Sequence, residues 1–301
     1  MDMSLHEEFF NHLTKKGYSQ NYVAIQLGFS GATISFYKSK SYEGDVEKLE
    51  HQIKRWLEEE KRKEEMLNIP IIIHLSTIKQ VYRAIDNAKD RKNISVVTGD
   101  AGCGKTEAAR HYVNYSSQAI LVEVGPIVTR KSLLNELARC MDLETKGSLD
   151  MIVLNIVEKL KDTGKVIIID EADRLDYGKL DILRRISDQA RCGLVLIAIS
   201  KFKYELENKH NDYDQLSSRC GPAFNLNEII GSVDINKDIT SILKHTKLDY
   251  DSEVITTLYN KCGGSLRKIC DVLMTAYELM TRYKEIKLTS NLILSAFNVK
   301  L

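Results

Sequence analysis

Gly99-Asp100-Ala101-Gly102-Cys103-Gly104-Lys105-Thr106 is the stretch on which the fold turns. It fits G-x-x-x-x-G-K-[ST] at every position. Glycines let a backbone wrap closely around a phosphate, with its N–H groups pointing inward at a helix N-terminus. Lys105 adds a cation that reaches the β and γ phosphates, and the Thr106 hydroxyl suits a magnesium ion. The apolar run Ile94 to Thr98 precedes the motif, and the helical stretch Glu107 to Val113 follows it. Strand, loop and helix in that order are what the motif requires, which argues against an ordinary Gly-rich turn. Gly99, Asp100, Ala101, Gly102, Cys103, Gly104, Lys105, Thr106 and Glu107 are thus the expected nucleotide contacts.

Further along the chain comes Val166-Ile167-Ile168-Ile169-Asp170-Glu171-Ala172-Asp173. A buried strand that delivers a carboxylate at its C-terminal end puts Asp170 beside the metal, with Thr106 as the other protein ligand. Glu171 follows and is suited to polarise an attacking water. An Asp-Glu pair, rather than a lone Asp, favours hydrolysis over binding alone.

Outward from these two motifs, short apolar runs alternate with longer amphipathic segments from about 67 to 228. The runs are Ile94 to Thr98, Ala119 to Val124, Lys165 to Asp170, Leu194 to Ser200 and Ala223 to Leu226. Nearly continuous apolar runs suit strands buried on both faces. The expected fold class is therefore α/β, a parallel five-stranded sheet with helices on both faces. Residues 229–301 change to helical periods, at Ile235 to His245, Ser252 to Tyr259, Ser265 to Tyr283 and Thr289 to Phe297, and predict a small all-helical domain.

Residues 1–66 read as an all-helical N-terminal domain with a linker helix. Short helices are expected to break at Gly17, Gly28, Gly31 and Gly44. One long helix then carries Val46, Leu49, Ile53, Trp56 and Leu57 on a single stripe. Its charged end, Glu58 to Glu65, reads as a solvated face or linker. Within this domain Tyr22 to Tyr37 reads as a helix-turn-helix. Val23, Ala24 and Leu27 form the packed face of the first helix, Gly28 makes the turn, Ser30 caps the second helix and Ile34 faces inward. Gly31, Thr33, Ser35, Tyr37 and Lys38 are expected to face outward. Thr33, Ser35, Tyr37 and Lys38 are then the candidate DNA contacts, with Lys15, Lys16 and Lys40 near phosphates. Helix pairs of this shape also dock proteins, and no arginine lies near the second helix, so both uses stay open.

Composition sets limits. Lys and Arg number 43 against 42 Asp and Glu, so any DNA surface must be local rather than a global basic field. The six cysteines include no C-x-x-C pair and no His at zinc spacing. No apolar run is long enough to cross a bilayer, and His6, Glu7 and Glu8 stand where a signal peptide needs a basic start and an apolar stretch. A reducing cytoplasm is the expected setting. With only three prolines, Pro-rich linkers are excluded.

GDAGCGKT followed by VIIIDEAD resembles the AAA+ ATPases. The resemblance implies ATP and magnesium as ligands, ATP hydrolysis as activity, and further site residues. Ser200, at the end of an apolar run, matches the polar sensor 1 position, where Asn or Thr is more usual. Gly263-Gly264-Ser265-Leu266-Arg267 resembles sensor 2, whose arginine, here Arg267, reaches the γ-phosphate of its own subunit. Arg219, in Leu216-Ser217-Ser218-Arg219, matches the arginine finger that serves a neighbouring subunit and implies an oligomer; Arg184, Arg185 and Arg191 compete for that role.

The N-terminal stretch resembles the Cro and lambda-repressor type of DNA-binding domain. Such a domain, then an AAA+ core, then a short helical lid resembles the Mu B and TnsC-type transposition ATPases. That likeness implies ATP-dependent filaments on duplex DNA, selection of transposition targets, stimulation of a partner transposase, and disassembly controlled by hydrolysis. Thr129-Arg130-Lys131-Ser132, after the second strand, becomes a candidate DNA contact through Arg130 and Lys131, against the plain reading of a solvated helix start. A replication loader or initiator, and an ATP-switched transcriptional regulator, are the alternative readings.

Overall fold

Branched aliphatic residues are stiff at χ1 and pack well on a pleated surface, and five short runs of the chain form strands. They are β1 (Ile94–Thr98), β2 (Ala119–Glu123), β3 (Val166–Asp170), β4 (Gly193–Ala198) and β5 (Cys220–Asn225). The computed structural model describes residues 4–65, 69, 74–208, 216, 218–232 and 234–299. It divides into two compact units, residues 1–67 and 68–301. The boundary expected at 66 and 67 falls outside the described residues, as does Ser217 beside Arg219.

In the first unit, α1 (Leu5–Lys16), α2 (Gln20–Leu27), α3 (Gly31–Lys38) and α4 (Val46–Glu65) enclose one core. Ser4, Ser19 and Ser30 cap the first three helices by accepting backbone N–H groups. Gly28 ends α2 in the left-handed region at φ 73°, which turns the chain directly into α3. Val23, Ala24, Leu27 and Ile34 pack with Phe9, Leu49, Ile53, Trp56 and Leu57.

Three expectations need correction here. Tyr37 does not face outward: it is 6% exposed and its hydroxyl donates to Glu50 at 2.9 Å. Its position three residues after Ile34 puts both on the inner stripe of α3. Tyr37 is therefore a core residue rather than a DNA contact. Gly31 breaks nothing, since it is the first residue of α3. Val46 lies exposed at the start of α4 and outside the buried stripe.

The second unit is built on a parallel sheet of order β2-β3-β4-β1-β5. Every residue of the central strands β1, β3 and β4 is buried. The edges differ from the expectation of burial on both faces. In β5, Ala223 is exposed and Phe224 half-buried, and in β2, Leu121 is half-buried and Glu123 exposed. An edge strand has a neighbour on one side only, so its faces are less completely covered. Around the sheet lie α5 (Ser76–Arg91), α6 (Lys105–Tyr115), α7 (Arg130–Arg139), α8 (Leu149–Leu160), α9 (Tyr177–Ala190), α10 (Ser200–Asn208) and the short α11 (Leu226–Ile230). Leu226, expected to finish the last strand, opens α11.

The chain ends in a helical lid of α12 (Asp234–Thr246), α13 (Glu253–Cys262), α14 (Leu266–Tyr283) and α15 (Ser290–Val299). Among the described residues, no helix is long and apolar enough to cross a membrane.

Candidate nucleotide-binding site

In a parallel sheet, ligand sites form beyond the C-terminal ends of the strands. Here Thr98, Glu123, Asp170 and Ala198 end four neighbouring strands on that rim, and Glu123 and Asp170 stand in register. A cavity of about 760 Å³ opens there, and Gly102, Lys105, Thr106, Asp170 and Glu171 line it. Apolar side chains line it too: Leu75 and Ile78 at the start of α5, and Ile242, Leu266 and Cys270 from the lid. Polar and apolar lining in one cavity fit a phosphate chain joined to a base.

The glycine loop after β1 leads into α6. Most long helices here are capped by a side-chain oxygen, but α6 has Gly104 at its N-cap, at φ 93°, and no side-chain acceptor. Its first-turn N–H groups therefore face the cavity rather than an acceptor of their own chain. The Lys105 ammonium lies in the same loop, donating to the Gly99 carbonyl at 2.6 Å and the Asp100 carbonyl at 2.9 Å. Cys103 is buried beneath the loop, and burial pushes its thiol above the ordinary range.

Asp170 is 3% exposed and accepts the N–H of Glu171 at 2.9 Å. Glu171 stands in the left-handed region, at φ 56° and ψ 39°, which turns the chain off the strand and exposes its carboxylate. That carboxylate pairs with Arg174 at 2.6 Å, and Arg174 also donates to the Val124 carbonyl at 3.1 Å. Asp173 accepts the Ile199 N–H at 3.1 Å and so ties the ends of β3 and β4 together.

Ser200, the first residue of α10, donates to Asp100 at 2.8 Å and accepts from the Asn227 amide at 3.0 Å. Asn227 in turn accepts the Asp100 N–H at 3.0 Å. Hydrogen bonds with Asn227 and then Ser200 hold the Asp100 carboxyl below its ordinary value. Asn227 escaped the sequence reading because a single Asn after the last strand carries no motif. Arg110 and Glu123 escaped it too; they form a bidentate pair at 2.8 and 2.7 Å on the cavity wall.

Arg267 lines the cavity, and its N–H donates to the Gly102 carbonyl at 3.0 Å. Lid and glycine loop are thus joined directly. Arg219 stands elsewhere, exposed just before β5 and 3.4 Å from Asp188. Arg184 is engaged by Asp181 and Asp188, and Arg185 by Asp181; Arg191 ends α9 in the left-handed region. Thr129 caps α7 by accepting the Ser132 N–H, with Arg130 and Lys131 exposed in the first turn. The Arg130 guanidinium lies against Gly178 at the start of α9.

A family model described as an AAA domain matches residues 86–203. Its fold is that of the AAA+ P-loop NTPases. The chain is similar to the ATP-dependent target DNA activator B of Escherichia phage Mu, 32% identical over 180 residues. That match covers 58% of this chain and 57% of the phage protein, so it spans little more than half of that relative. A second relative, the Mu-like prophage FluMu DNA transposition protein B of Haemophilus influenzae, is 25% identical over 279 residues, covering 88% of this chain and 93% of that protein.

Among solved structures, the Aeropyrum pernix ORC2 protein in its ADP form is similar with a TM-score of 0.55 at 15% identity, covering 77% of this chain and 70% of that one. Drosophila ORC bound to DNA gives a TM-score of 0.51 at 13% identity, covering 77% and 63%. These structural likenesses concern the AAA+ fold alone.

Proposed function

We propose that this chain is an ATPase that assembles on duplex DNA, selects target DNA for transposition and activates a partner transposase. The observation that carries the reading is the cavity itself, where the glycine loop, Asp170, Glu171 and the lid arginine Arg267 converge. Similarity to a phage target DNA activator and a prophage transposition protein supports the biological role.

The residues fit a nucleotide with its magnesium ion. Thr106 and Asp170 supply two hard oxygens, and magnesium bound with its nucleotide needs few protein ligands. Among the described residues no cluster of three or more His, Cys, Asp or Glu offers a separate metal site. Bound there, magnesium neutralises charge on the phosphate oxygens. Loop N–H groups and Lys105 orient the phosphates. Glu171 orients a water and accepts its proton; the water oxygen bonds to the γ-phosphorus as the bond to the β-γ bridging oxygen breaks, giving ADP and phosphate. Arg267 stabilises the transferred group from within the subunit, Ser200 and Asn227 hold the loop at Asp100, and Arg219 acts on a neighbouring subunit's nucleotide.

Arg130 and Lys131 contact DNA phosphates from the core, and Thr33, Ser35 and Lys38 approach DNA from the N-terminal unit. The cytoplasm of a prokaryotic or phage-infected cell is the setting. One observation favours a second use of the N-terminal unit: Ile25 on α2 is 75% exposed and Phe36 on α3 is 55% exposed. Apolar side chains on that pair of helices favour docking of a protein over base readout.

Electron micrographs of the protein on long duplex DNA test the proposal. Filaments are expected with ATP and absent without it. Discrete binding at one operator, unchanged by nucleotide, would overturn the transposition reading in favour of a regulator.

A further inference from the structure

Helix α5 begins at Ser76 with Leu75 at its N-cap, a residue that has no side-chain acceptor to offer. A buried helix start still needs partners for its first N–H groups. The partner comes from far along the chain. Asp238, on lid helix α12, accepts the Ser76 N–H at 2.9 Å with both carboxylate oxygens and the Ser76 hydroxyl at 3.0 Å. Asp238 is 3% exposed. Burial pushes its carboxyl above the ordinary range, while the Ser76 donors pull it back down. The positive end of the α5 dipole favours the carboxylate as well.

This contact joins two walls of the nucleotide cavity. Leu75 and Ile78 line it from the start of α5. Ile242, one helical turn beyond Asp238 and on the same face of α12, lines it from the lid. Asp238 itself is not a lining residue. The Arg267 N–H on the Gly102 carbonyl forms a separate tie between lid and core.

We infer that Asp238 is a positioning residue: by capping α5 from the lid it sets the spacing of the apolar slot that receives the nucleotide base. It acts through Leu75, Ile78 and Ile242 and leaves the phosphate chemistry to other residues. The inference rests on the ATPase reading above, and its test separates the two.

Fluorescent ADP-analogue binding is measured first, without turnover, followed by KM and kcat for ATP. Loss of a cap predicts that Asp238→Ala raises Kd and KM about tenfold, with kcat within about twofold. Asp238→Asn keeps an acceptor oxygen for Ser76 and restores most of the affinity. Inorganic tripolyphosphate, which has no base, competes equally well in wild type and Asp238→Ala; general damage to the site would weaken it too.

Ser76→Pro is the second variant. It removes both Ser76 donors, yet suits the first position of a helix, and Leu75 at φ −62° and ψ 141° tolerates a following proline. The Thr77 N–H, which also acts on Asp238, stays, so this variant should reproduce much of the Asp238→Ala defect, and the double variant should be no weaker than Asp238→Ala alone. If Asp238→Ala fails to fold, Ser76→Pro carries the test alone. Unchanged nucleotide affinity in a folded Asp238→Ala or Ser76→Pro, additive effects in the double variant, or equal loss of tripolyphosphate would overturn the inference. Wild-type protein that binds nucleotide without hydrolysing it would overturn the ATPase reading while leaving the affinity measurements decisive; wild type that binds none overturns both.

Discussion

Replacing Gly102 by alanine tests the contact between glycine loop and lid. Gly102 has φ 85°, so any L side chain there is strained, at about 1–2 kcal/mol. Space is the second problem. A Cβ built on Gly102 would stand 2.5 Å from the Ser265 hydroxyl oxygen and 3.1 Å from the Arg267 Cβ. Moving the start of α14 away loses the Arg267 N–H to Gly102 hydrogen bond, another contribution of about 1 kcal/mol. If the loop relieves its strain by leaving the phosphate-binding shape, binding must restore that shape. Together these give about 2–3 kcal/mol, or roughly 30- to 150-fold weaker nucleotide binding. Titration of a fluorescent ATP analogue reads the effect. Gly164→Ala is the control, since Gly164 has φ 68° with nothing within 4 Å of its Cβ; it should lower thermal stability slightly and leave affinity alone. Ser265→Ala should recover part of the loss in Gly102→Ala by removing the oxygen that clashes. Equal affinities for Gly102→Ala and Gly164→Ala would refute the reasoning.

Other perturbations separate the remaining roles. Glu171→Gln should keep ATP affinity within about twofold while phosphate release falls at least about a hundredfold, since the amide cannot accept a proton; wild-type turnover would remove Glu171 from the chemistry. Arg219→Ala should bind ATP normally and lose DNA-stimulated hydrolysis, with partial recovery on mixing with Lys105→Ala protein. Activity indifferent to mixing and to concentration would place the whole site within one subunit. Arg130→Ala with Lys131→Ala should flatten the log–log salt dependence of duplex binding by about two units, and an unchanged slope would assign the DNA path to other residues.

How far the sequence could be read depends on whether the signal was local. The runs ending at Thr98 and Asp170 were legible because a strand buried on both faces has to be apolar throughout, and the glycine loop was legible because its backbone needs glycine at fixed spacing. Ser30 as a cap and the packed face of α2 follow from equally local rules. Tyr37 was misread because a tyrosine suits either side of a helix; only the distant Glu50 on α4 gives its hydroxyl an inward partner. The apolar letters of β5 resemble those of β1 and read as a fully buried strand, and only the sheet order makes it an edge. Asn227, Arg174 and Asp238 were invisible for a related reason. Each acts through a partner that folding brings near, and for Asp238 that partner lies 162 residues away.

Two conformations that most side chains avoid, at Gly102 and at Glu171, occur on the same rim of one sheet. For Gly102 the loop spends no Cβ, so the left-handed turn costs little. For Glu171 the side chain is required, and the left-handed position costs about 1 kcal/mol or more. That cost persists only where the surroundings over-determine the turn. They do so here: Asp170 is fixed at the end of a fully buried strand and accepts the Glu171 N–H, and Asp173 holds the end of β4 one turn later. Ile167, Ile168 and Ile169 are completely buried behind them, each contributing about 1.5–3 kcal/mol relative to exposure. The apolar core of β3 thus does more than stabilise the domain. It anchors a strained turn, and the turn aims a carboxylate at the cavity instead of back along the strand. Relaxing the turn would restore a comfortable backbone and move the Glu171 carboxylate away from the phosphate end of the site.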